Sequence, residues 1–247
     1  MAAKKVKGNN TELPETSNAP PDNGSLLWIY QFEQPKKSHR CIERTYRYVL
    51  GAFREYPPDP HKVLICIGLN PNTGIPGQLE KTVQAINDFA FNVKDYDGWI
   101  MLNLSPIRCG NSNDLPTAEN LKELSEIDKR VQKRNIKIIK SILDTYPYAV
   151  IIAAWGDYVD KAKYLKDTAK EIYNYSCLQH KNSWYCCCLP SDRTTPPEKA
   201  TEEELKNIQK GLTGKGNPRH PFRRWGASWG KQLDEALAFE FKMEQEP

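Results

Sequence analysis

The sequence predicts an α/β protein, a three-layer α/β/α sandwich around a central, mostly parallel, four-stranded sheet. The main indication is an apolar segment at 62–68, which ends at Gly68 and is followed by Asn70. Segments rich in β-branched residues and without alternation are typical of strands buried on both faces. Three further apolar segments alternate with helical ones, as in right-handed βαβ units. They occupy 98–103, 149–154 and 184–189.

The segments between these strands carry helical periodicity. A helix is predicted at 79–92, and Thr117 is the predicted N-cap of a long helix that ends near Thr145. Two more helices are predicted at about 156–173 and 201–210. The apolar positions of the first two helices are Val83, Ile86, Phe89 and Ala90, then Leu121, Leu124, Ile127, Val131, Ile138 and Ile142.

The remaining segments define the domain organisation. Residues 1–24 are polar and rich in Pro and Asn, which predicts a disordered tail. We expect 25–247 to form a single domain, with an irregular entry at 26–58 that contains a strand at 46–50. A charged, proline-rich insertion is predicted at about 190–216.

Composition excludes several classes of protein. Charged residues make up 27% of the chain and no apolar run has membrane-spanning length, so we expect no membrane partner. The basic N-terminus lacks the apolar segment of a secretory signal. Seven cysteines without a Cys-x-x-Cys pair predict neither a disulfide framework nor an iron–sulfur site. Cys66 and the run from Cys186 to Cys188 are predicted to be buried hydrophobes, which suits a reducing cytoplasm.

Positive charge is concentrated near the C-terminus. Between Leu205 and Lys231 there are seven Lys or Arg residues and no carboxylate, which leaves 28 basic and 31 acidic residues elsewhere. Phe222, Trp225 and Trp229 are interleaved with these basic residues. Basic groups together with aromatic rings suit a phosphate backbone and stacked bases. The segment therefore predicts a nucleic-acid partner, and a solvated basic surface is the alternative.

The sequence contains no cofactor or metal motif. No glycine-rich nucleotide loop follows the first strand, and no Gly-x-Ser-x-Gly elbow indicates a hydrolase triad. The four histidines, at 39, 61, 180 and 220, do not have the spacing of metal ligands. We therefore predict that the protein uses neither a cofactor nor a metal.

Two asparagines and one histidine are the strongest candidates for chemistry. Asn70 and Asn103 each follow or end a predicted strand, so both belong at the carboxyl edge of the sheet, where ligands bind. An asparagine can orient a water through its carbonyl, and its amide can both donate to and accept from a base edge. His220, in a basic loop framed by Gly and Pro, can donate to a developing oxyanion. This combination suits cleavage of a glycosidic bond with a nucleobase as leaving group.

Four segments resemble motifs of the uracil-DNA glycosylase superfamily. Gly68-Leu69-Asn70-Pro71 is similar to the Gly-Ile-Asn-Pro motif of its mismatch-specific branch. Ile75-Pro76-Gly77-Gln78 resembles the Pro-Gly-Gln turn of the uracil-specific branch. Met101-Leu102-Asn103-Leu104 is similar to the strand end whose asparagine reads the pyrimidine edge. Asn217-Pro218-Arg219-His220-Pro221 is similar to the late His-Pro motif, whose histidine hydrogen-bonds pyrimidine O2.

In order and spacing, the chain more closely resembles a family of uncharacterised bacterial and phage proteins within that superfamily. Their motifs are Leu-Asn-Pro-Ser-Thr, Asp-Pro-Thr, Asn-Leu-Phe, Ala-Trp-Gly and Pro-Arg-His-Pro. The resemblance runs from about Arg44 to Arg224 and implies the uracil-DNA glycosylase-like fold. The matching segments begin at Leu69, Glu80, Asn103, Ala154 and Pro218.

The resemblance implies a role for each matching residue. Asn70 positions the attacking water, and His220 stabilises the oxyanion on O2 as the glycosidic bond breaks. Asn103 reads the flipped base, and Gly68 and Pro71 complete the base-binding site. The residues implied in DNA binding, as phosphate contacts or as a wedge, are Arg108, Lys215, Arg219, Phe222, Arg223, Arg224 and Trp225.

Three departures from the family pattern bear on the substrate. Glu80 and Lys81 stand in place of Asp and Pro in the second motif. The four residues from Phe222 to Trp225 replace the small Ser-Pro-Leu-Ser wedge of the uracil enzymes, and the insertion at 190–216 is longer than in the family. Since the last two changes surround the implied site, we expect a substrate other than plain uracil.

The function implied by the resemblance is that of a monofunctional DNA glycosylase. Its expected substrate is a modified pyrimidine, such as glucosylated hydroxymethylcytosine in phage DNA, and its expected role is anti-phage defence. We expect a cytoplasmic monomer with DNA as its partner. Two alternatives stay open, a non-catalytic nucleic-acid-binding module on the same fold and a hydrolase of free nucleosides or nucleotides.

Overall fold

A computed structural model describes residues 26–34, 44–54, 58–188, 200–210, 212–219 and 237–243. The predicted tail at 1–24 lies outside these ranges. The helices are α1 (Lys81–Asp88), α2 (Glu126–Thr145), α3 (Lys163–Gln179) and α4 (Glu202–Gln209). The strands are β1 (Leu27–Glu33), β2 (Tyr46–Phe53), β3 (Val63–Gly68), β4 (Gly98–Asn103), β5 (Val150–Ala154), β6 (Ser183–Cys188) and β7 (Leu237–Glu240).

These strands form one mixed sheet in the order β1-β2-β4-β3-β5-β6-β7. The α/β class is confirmed, and the predicted strands β3, β4, β5 and β6 run parallel where they pair. The predicted size of four strands is wrong, because the sheet has seven. β1 and β2 extend one edge and β7 the other, all through antiparallel pairs.

The strands missed by the sequence prediction lie at the two edges of the sheet. β1 was expected to be irregular, and β7 has only four residues. Most of β1 is only partly buried, and its pairing with β2 is shifted between Gln31 and Phe32. An edge strand pairs on one side only and is covered less completely, so its apolar pattern is weaker than that of a central strand.

Helices cover both faces of the sheet, and alternation along the central strands divides the apolar residues into two cores. Ile67 and Leu102 pack in the core that also contains residues of α2 and α3. Cys66 and Met101 belong to the opposite core, which contains residues of α1. The central strands are therefore buried on both sides, as their continuous apolar character predicts.

The long helix begins later than predicted. α2 starts at Glu126 and is capped by Ser125, whose hydroxyl accepts from the Asp128 backbone N–H at 3.1 Å and donates to the Asp128 carboxylate at 2.8 Å. This reciprocal pair satisfies a free N–H of the first turn, so Thr117 is not the cap. Ile127, predicted to face the sheet, is 43% exposed in that first turn.

The other helices follow the predictions with shifted ends. α1 ends at Asp88 and continues as a π-helix over Phe89–Val93, and all four predicted apolar positions there are buried. α3 begins at Lys163, after a 3₁₀ turn at Asp157–Asp160, and extends to Gln179. α4 lies inside the predicted insertion and begins with a capping box of Thr201 and Glu204.

The described cysteines behave as predicted from their positions. Cys66 of β3 and Cys186 of β6 are buried and form no disulfide, whereas the side chains of Cys187 and Cys188 lie outside the described residues. Within the described ranges, no helix is both long and apolar enough to cross a membrane.

The chain connections define a crevice at one edge of the sheet. β3 leads through α1 to β4 on one side, whereas β5 leads through α3 to β6 on the other side. β3 and β5 are themselves neighbours. In open α/β sheets, ligands bind beyond the carboxyl ends of two such strands. The switch point between β3 and β5 is therefore the expected position of a ligand site.

Candidate functional site

Both predicted asparagines lie at the carboxyl edge of the sheet. Gly68, the last residue of β3, pairs with Asn103 of β4 and with Ala154 of β5. The pairing continues past the strands, because Leu104 N donates to Gly68 O at 2.9 Å and Ser105 N donates to Leu69 O at 2.8 Å. Asn70 is the second residue after the end of β3, so the structure brings Asn70 and Asn103 to the same edge.

Asn103 is a buried amide without hydrogen bonds from its side chain. It is 1% exposed, and neither Nδ2 nor Oδ1 has a partner among the described residues. Burying such a group uncompensated costs about 1–3 kcal/mol. An amide kept at this cost is typical of a site that a ligand completes.

Gly68 makes room for the Asn103 amide. A Cβ on Gly68 would lie 3.0 Å from Asn103 Oδ1 and 2.7 Å from the terminal methyl of Met101. Any larger residue would therefore displace one of these two side chains. This gives the glycine of the Gly-Leu-Asn-Pro segment a steric role at the predicted base-binding position.

Asn70 is half-buried, and its orientation is fixed through its amide nitrogen. Nδ2 donates to Cys109 O at 2.9 Å and to Pro71 O at 3.1 Å, and it lies 3.2 Å from Cys109 Sγ. The opposite orientation would place the amide oxygen against two carbonyl oxygens. The carbonyl of Asn70 is therefore directed away from them, and no described residue donates to it. It is available to accept a hydrogen bond from a water.

Burial keeps the Cys109 thiol beside Asn70 protonated. Desolvation, with a smaller contribution from the Asp114 carboxylate, raises the pKa of Cys109 to about 11. The thiolate, which is the reactive form of cysteine, is therefore scarce at neutral pH. The thiol is a neutral contact of Asn70 and not a nucleophile.

Because the Cys109 thiol is protonated at neutral pH, we expect it to be alkylated slowly. Treatment with iodoacetamide at pH 8, followed by peptide mass spectrometry, should label the exposed Cys177 at least about tenfold faster than Cys109. In denaturant, where burial is lost, the two rates should converge. Equal labelling of the two cysteines in the folded protein would contradict the assignment.

The loop after Asn70 is held by Arg108, which was predicted to bind DNA. Its guanidinium donates to Asn72 O and to Thr73 O, both at 2.8 Å, and lies over the Phe32 ring at 5.4 Å. Pro71 is buried, and its carbonyl also accepts from Cys109 N at 3.0 Å. The described structure thus gives Arg108 a structural role, and its contact with DNA stays a prediction.

A second arginine below the same loop was not predicted as a site residue. Arg47 of β2 is 1% exposed, and its Nη1 donates to Gly74 O at 2.9 Å. Its Nη2 lies 3.6 Å from Glu80 Oε1, an ion-pair distance. Burial lowers the pKa of the Arg47 guanidinium, and the Glu80 carboxylate opposes that shift. The sequence feature that could have identified Arg47 as a site residue is its position inside the otherwise apolar segment at 46–53.

The late motif reaches the switch point through Asn217 and Pro218. Gly156, which follows β5 with φ of 71°, donates its N–H to Pro218 O at 2.9 Å. Asn217 Nδ2 donates to the carboxylates of Asp157, at 3.1 Å, and of Asp160, at 2.8 Å. The residues directly before His220 are thereby fixed at the carboxyl end of β5.

The predicted insertion supports this anchor. Thr213 Oγ1 donates to Asp157 Oδ1 at 2.5 Å, and Asn207 of α4 donates to Gly214 O at 3.0 Å. The insertion is thus part of the frame that holds the late motif.

Trp155, in contrast, is 3% exposed and packs edge-on against Trp184 and Phe241, so it is a core residue.

The anchor predicts a local change on mutation of Asn217. Asn217→Ala removes both bonds to the carboxylates, so hydrogen exchange at the Gly156 amide should accelerate at least about tenfold, whereas exchange at Leu104 should not change. NMR-detected exchange measures both amides. Asn113→Ala, at an exposed position of the 3₁₀ turn at Ser112–Asp114, is the matched control and should leave both rates unchanged. Unchanged exchange at Gly156 in Asn217→Ala would contradict the anchor.

The remaining predicted DNA contacts are described only in part. Arg219 is half-buried directly after Pro218, and Lys215 is exposed in the turn before Asn217. His220, Phe222, Arg223, Arg224 and Trp225 lie outside the described residues. Within the described ranges, His, Cys, Asp and Glu side chains do not form a group of three or more that could hold a metal ion.

Comparison with known proteins gives one match. A family model described as "Protein of unknown function (DUF1643)" matches residues 47–222, most of the chain, and spans β2 to the late motif. No curated protein and no solved structure matches the chain.

Proposed function

This chain belongs to the DUF1643 family, and because the family description states no function, we propose one from the site: hydrolysis of the N-glycosidic bond of a modified pyrimidine in DNA. The observation that carries the proposal is Asn103, a buried amide with neither side-chain atom partnered in the described structure. It lies at the sheet edge where Asn70 presents an oriented carbonyl. A base edge and a water are the two ligands that such a pair fits.

Recognition of the base rests on the two functions of one amide. Asn103 offers a donor and an acceptor, which match the paired acceptor and donor on the edge of a pyrimidine. Because the amide is buried, a base inside a duplex cannot reach it, and the nucleotide must flip out of the stack. Flipping costs a few kcal/mol, which contacts to the phosphate backbone must offset.

Hydrolysis requires a water held against the sugar. The Asn70 carbonyl accepts a hydrogen bond from this water, whose oxygen bonds to C1′ as the bond from C1′ to the base nitrogen breaks. The bonding electron pair leaves with the base, the water releases one proton to solvent, and the base anion takes up one proton from solvent. His220, placed by its sequence directly after the anchored Pro218-Arg219 segment, donates to O2 of the leaving base. Asn70 is too weak a base to deprotonate the water, so stabilisation of the leaving group must supply most of the acceleration.

The same proposal includes the superfamily to which the fold belongs, the cellular compartment, the oligomeric state and the biological role. The order of the parallel strands, β4-β3-β5-β6, and the switch point between β3 and β5 support a uracil-DNA glycosylase-like core within the larger sheet. The thiols of Cys66 and Cys186 support a reducing, cytoplasmic setting. We include a monomeric state and a role in defence against phages with modified DNA in this proposal.

A panel of DNAs tests the proposed reaction. Purified protein is incubated with unmodified, uracil-containing and mismatched duplexes and with phage genomes that carry hydroxymethylated or glucosylated cytosine, and each sample is then treated with alkali. Strand breaks that appear only after alkali, and only in a modified DNA, are expected. Intact DNA throughout, with a folded protein, would contradict the proposal.

A non-catalytic nucleic-acid-binding module is the second candidate, and the basic segment between Leu205 and Lys231 favours it. Such a module needs the phosphate contacts of this segment but no oriented water. Binding that falls steeply with salt and is equal in wild type and Asn70→Ala, without base release from any DNA, would support this candidate instead.

A further inference from the structure

A second set of buried polar atoms lies on the same face of the sheet as Asn103. Arg47 is on β2, where its backbone N–H donates to Pro106 O at 2.9 Å, and Asn103 ends the neighbouring strand β4, so both lie near the carboxyl edge. The chain neighbours of these two residues all pack in the opposite core, so Arg47 and Asn103 face the core that contains α1. These neighbours are Tyr46 and Tyr48 beside Arg47, and Leu102 and Leu104 beside Asn103.

Arg47 and Glu80 use only part of their hydrogen-bonding capacity. In the described part of the chain, Arg47 Nε and Nη2 donate to no acceptor and Glu80 Oε2 accepts from no donor, although all three atoms are buried. The guanidinium makes one hydrogen bond, to Gly74 O at 2.9 Å. Two donors and one acceptor are thus left in the interior, on the same face of the sheet as the Asn103 amide.

The absence of a side chain at Gly74 determines where the Glu80 carboxylate lies. Glu80 is the N-cap residue of α1, yet its side chain does not cap the helix. It lies instead against Gly74, where an added Cβ would be 1.5 Å from Glu80 Oε2 and 3.2 Å from Arg47 Nη1. The Glu80 carboxylate can therefore lie beside the Arg47 guanidinium only when residue 74 is glycine.

A purely structural ion pair does not account for this arrangement. Buried ion pairs offset their desolvation only when further hydrogen bonds satisfy the remaining atoms. Here the closest contact between the charged groups is 3.6 Å, and the remaining atoms have no partner in the described structure. An added ligand with a hydroxyl group would satisfy both residues, since a hydroxyl donates to a carboxylate and accepts from a guanidinium.

We propose that Arg47 and Glu80 determine substrate specificity by binding a hydroxyl-bearing substituent of the base that Asn103 recognises. The inference rests on the proposed function, because it requires a base at Asn103. The edge of a pyrimidine that an amide reads is adjacent to its C5 position, and the proposal places a hydroxymethyl group or a sugar attached there on the side of Arg47 and Glu80. A hydrogen or methyl at C5 leaves Arg47 Nε and Nη2 and Glu80 Oε2 without the hydrogen bonds that they lack in the described structure. Sites built around a substrate hydroxyl strongly reject the analogue that lacks it.

The test measures binding and excision separately. Fluorescence anisotropy gives the Kd for duplexes with a single cytosine, 5-hydroxymethylcytosine or glucosylated 5-hydroxymethylcytosine, each as a 2′-fluoro nucleotide that resists hydrolysis. The wild type should bind at least one hydroxyl-bearing duplex at least about tenfold more tightly than the cytosine duplex. The two modified duplexes show whether the hydroxymethyl group or the sugar supplies the hydroxyl.

Two variants address the residues themselves. Glu80→Leu and the double variant Arg47→Met, Glu80→Leu should reduce this ratio to within about twofold of unity. The double variant replaces both charges with apolar groups of similar size, which buried pairs often tolerate, and a thermal melt verifies its folding. Gln84→Met is the matched control, because it changes an exposed side chain of α1, which bonds to Asp88 and not to the pair, and should retain the wild-type ratio.

Two results would overturn the inference. One is equal binding of modified and unmodified duplexes by the wild type, and the other is a wild-type ratio in the folded double variant. Base release from the corresponding cleavable duplexes is measured in parallel. Its absence from every duplex would contradict the proposed reaction, whereas the binding ratio decides the role of Arg47 and Glu80 by itself.

Discussion

Asn103→Leu is expected to reduce base release by at least about 10²-fold while leaving the fold at least as stable as the wild type. The side-chain amide of Asn103 makes no hydrogen bond within the described structure, so its removal breaks none there. Replacing an unsatisfied buried polar group by an apolar one of similar shape is close to neutral or stabilising. The base, in contrast, loses the donor and acceptor that orient it. Single-turnover base release and urea denaturation measure the two effects.

Asn135→Leu is the matched control for this prediction. Asn135 is equally buried on α2, but its Nδ2 donates to Asn103 O at 2.8 Å and to Leu104 O at 3.1 Å. Loss of these two hydrogen bonds in Asn135→Leu should lower the free energy of unfolding by about 1–3 kcal/mol. If Asn103→Leu destabilises the protein as much as Asn135→Leu and still releases base, Asn103 is a structural residue.

Asn70→Ala is expected to slow base release by about 10²–10³-fold, with Kd for DNA changed by less than about threefold. The variant removes the carbonyl that orients the water and leaves the backbone phosphate contacts intact. Single-turnover kinetics give the rate, and anisotropy with a hydrolysis-resistant duplex gives Kd. Asn92→Ala, at an exposed position of the π-helix, is the control and should behave as the wild type.

Asn70→Asp separates the two functions of the Asn70 side chain. The carboxylate keeps an acceptor for water, but it faces the carbonyls of Cys109 and Pro71, to which the amide nitrogen donates in the wild type. We expect a rate between those of Asn70→Ala and the wild type, since orientation is lost while the acceptor is kept. A wild-type rate in Asn70→Ala would show that the water is positioned by another group.

The central strands were predictable because burial on both faces leaves a signal in the sequence. β3, β4 and β5 read as continuous apolar segments, and their bounds differ from the predicted ones by one residue or less at either end. Parallel strands also share a carboxyl edge, so the placement of Asn70 and Asn103 at one edge of the sheet followed from strand direction alone. These inferences depend only on local composition and on chain direction.

The start of α2 was not predictable from periodicity. Thr117 and Ser125 are both suitable cap residues, and the apolar spacing from Leu121 onward continues through the 3₁₀ turn. The choice between them is made by the reciprocal bonds between Ser125 and Asp128 and by Arg44, which donates to the same carboxylate at 2.9 Å. Arg44 is 84 residues away in sequence, so the pattern around 117–127 carries no trace of it.

The contacts among Arg47, Gly74 and Glu80 were not predicted from the sequence, for the same reason. Glu80 matches a helix-start acid by position, and only the contact with Arg47 shows that its carboxylate is turned inward. Arg47 reaches Gly74 across 27 residues, and Asn217 reaches Asp160 across 57. Motif spacing identified the residues that follow the strands, whereas the groups that support them are assembled by tertiary contacts.

Identification of the released base is the most direct test of the proposed reaction. Wild type and Asn103→Leu are incubated with duplexes that contain 5-hydroxymethylcytosine or its glucosylated form, and free bases and abasic sites are quantified by mass spectrometry. We expect equal amounts of free modified base and abasic sites with the wild type, and at least about 10²-fold less of both products with Asn103→Leu. Folded wild-type protein that binds these duplexes and releases no base would contradict the proposed reaction.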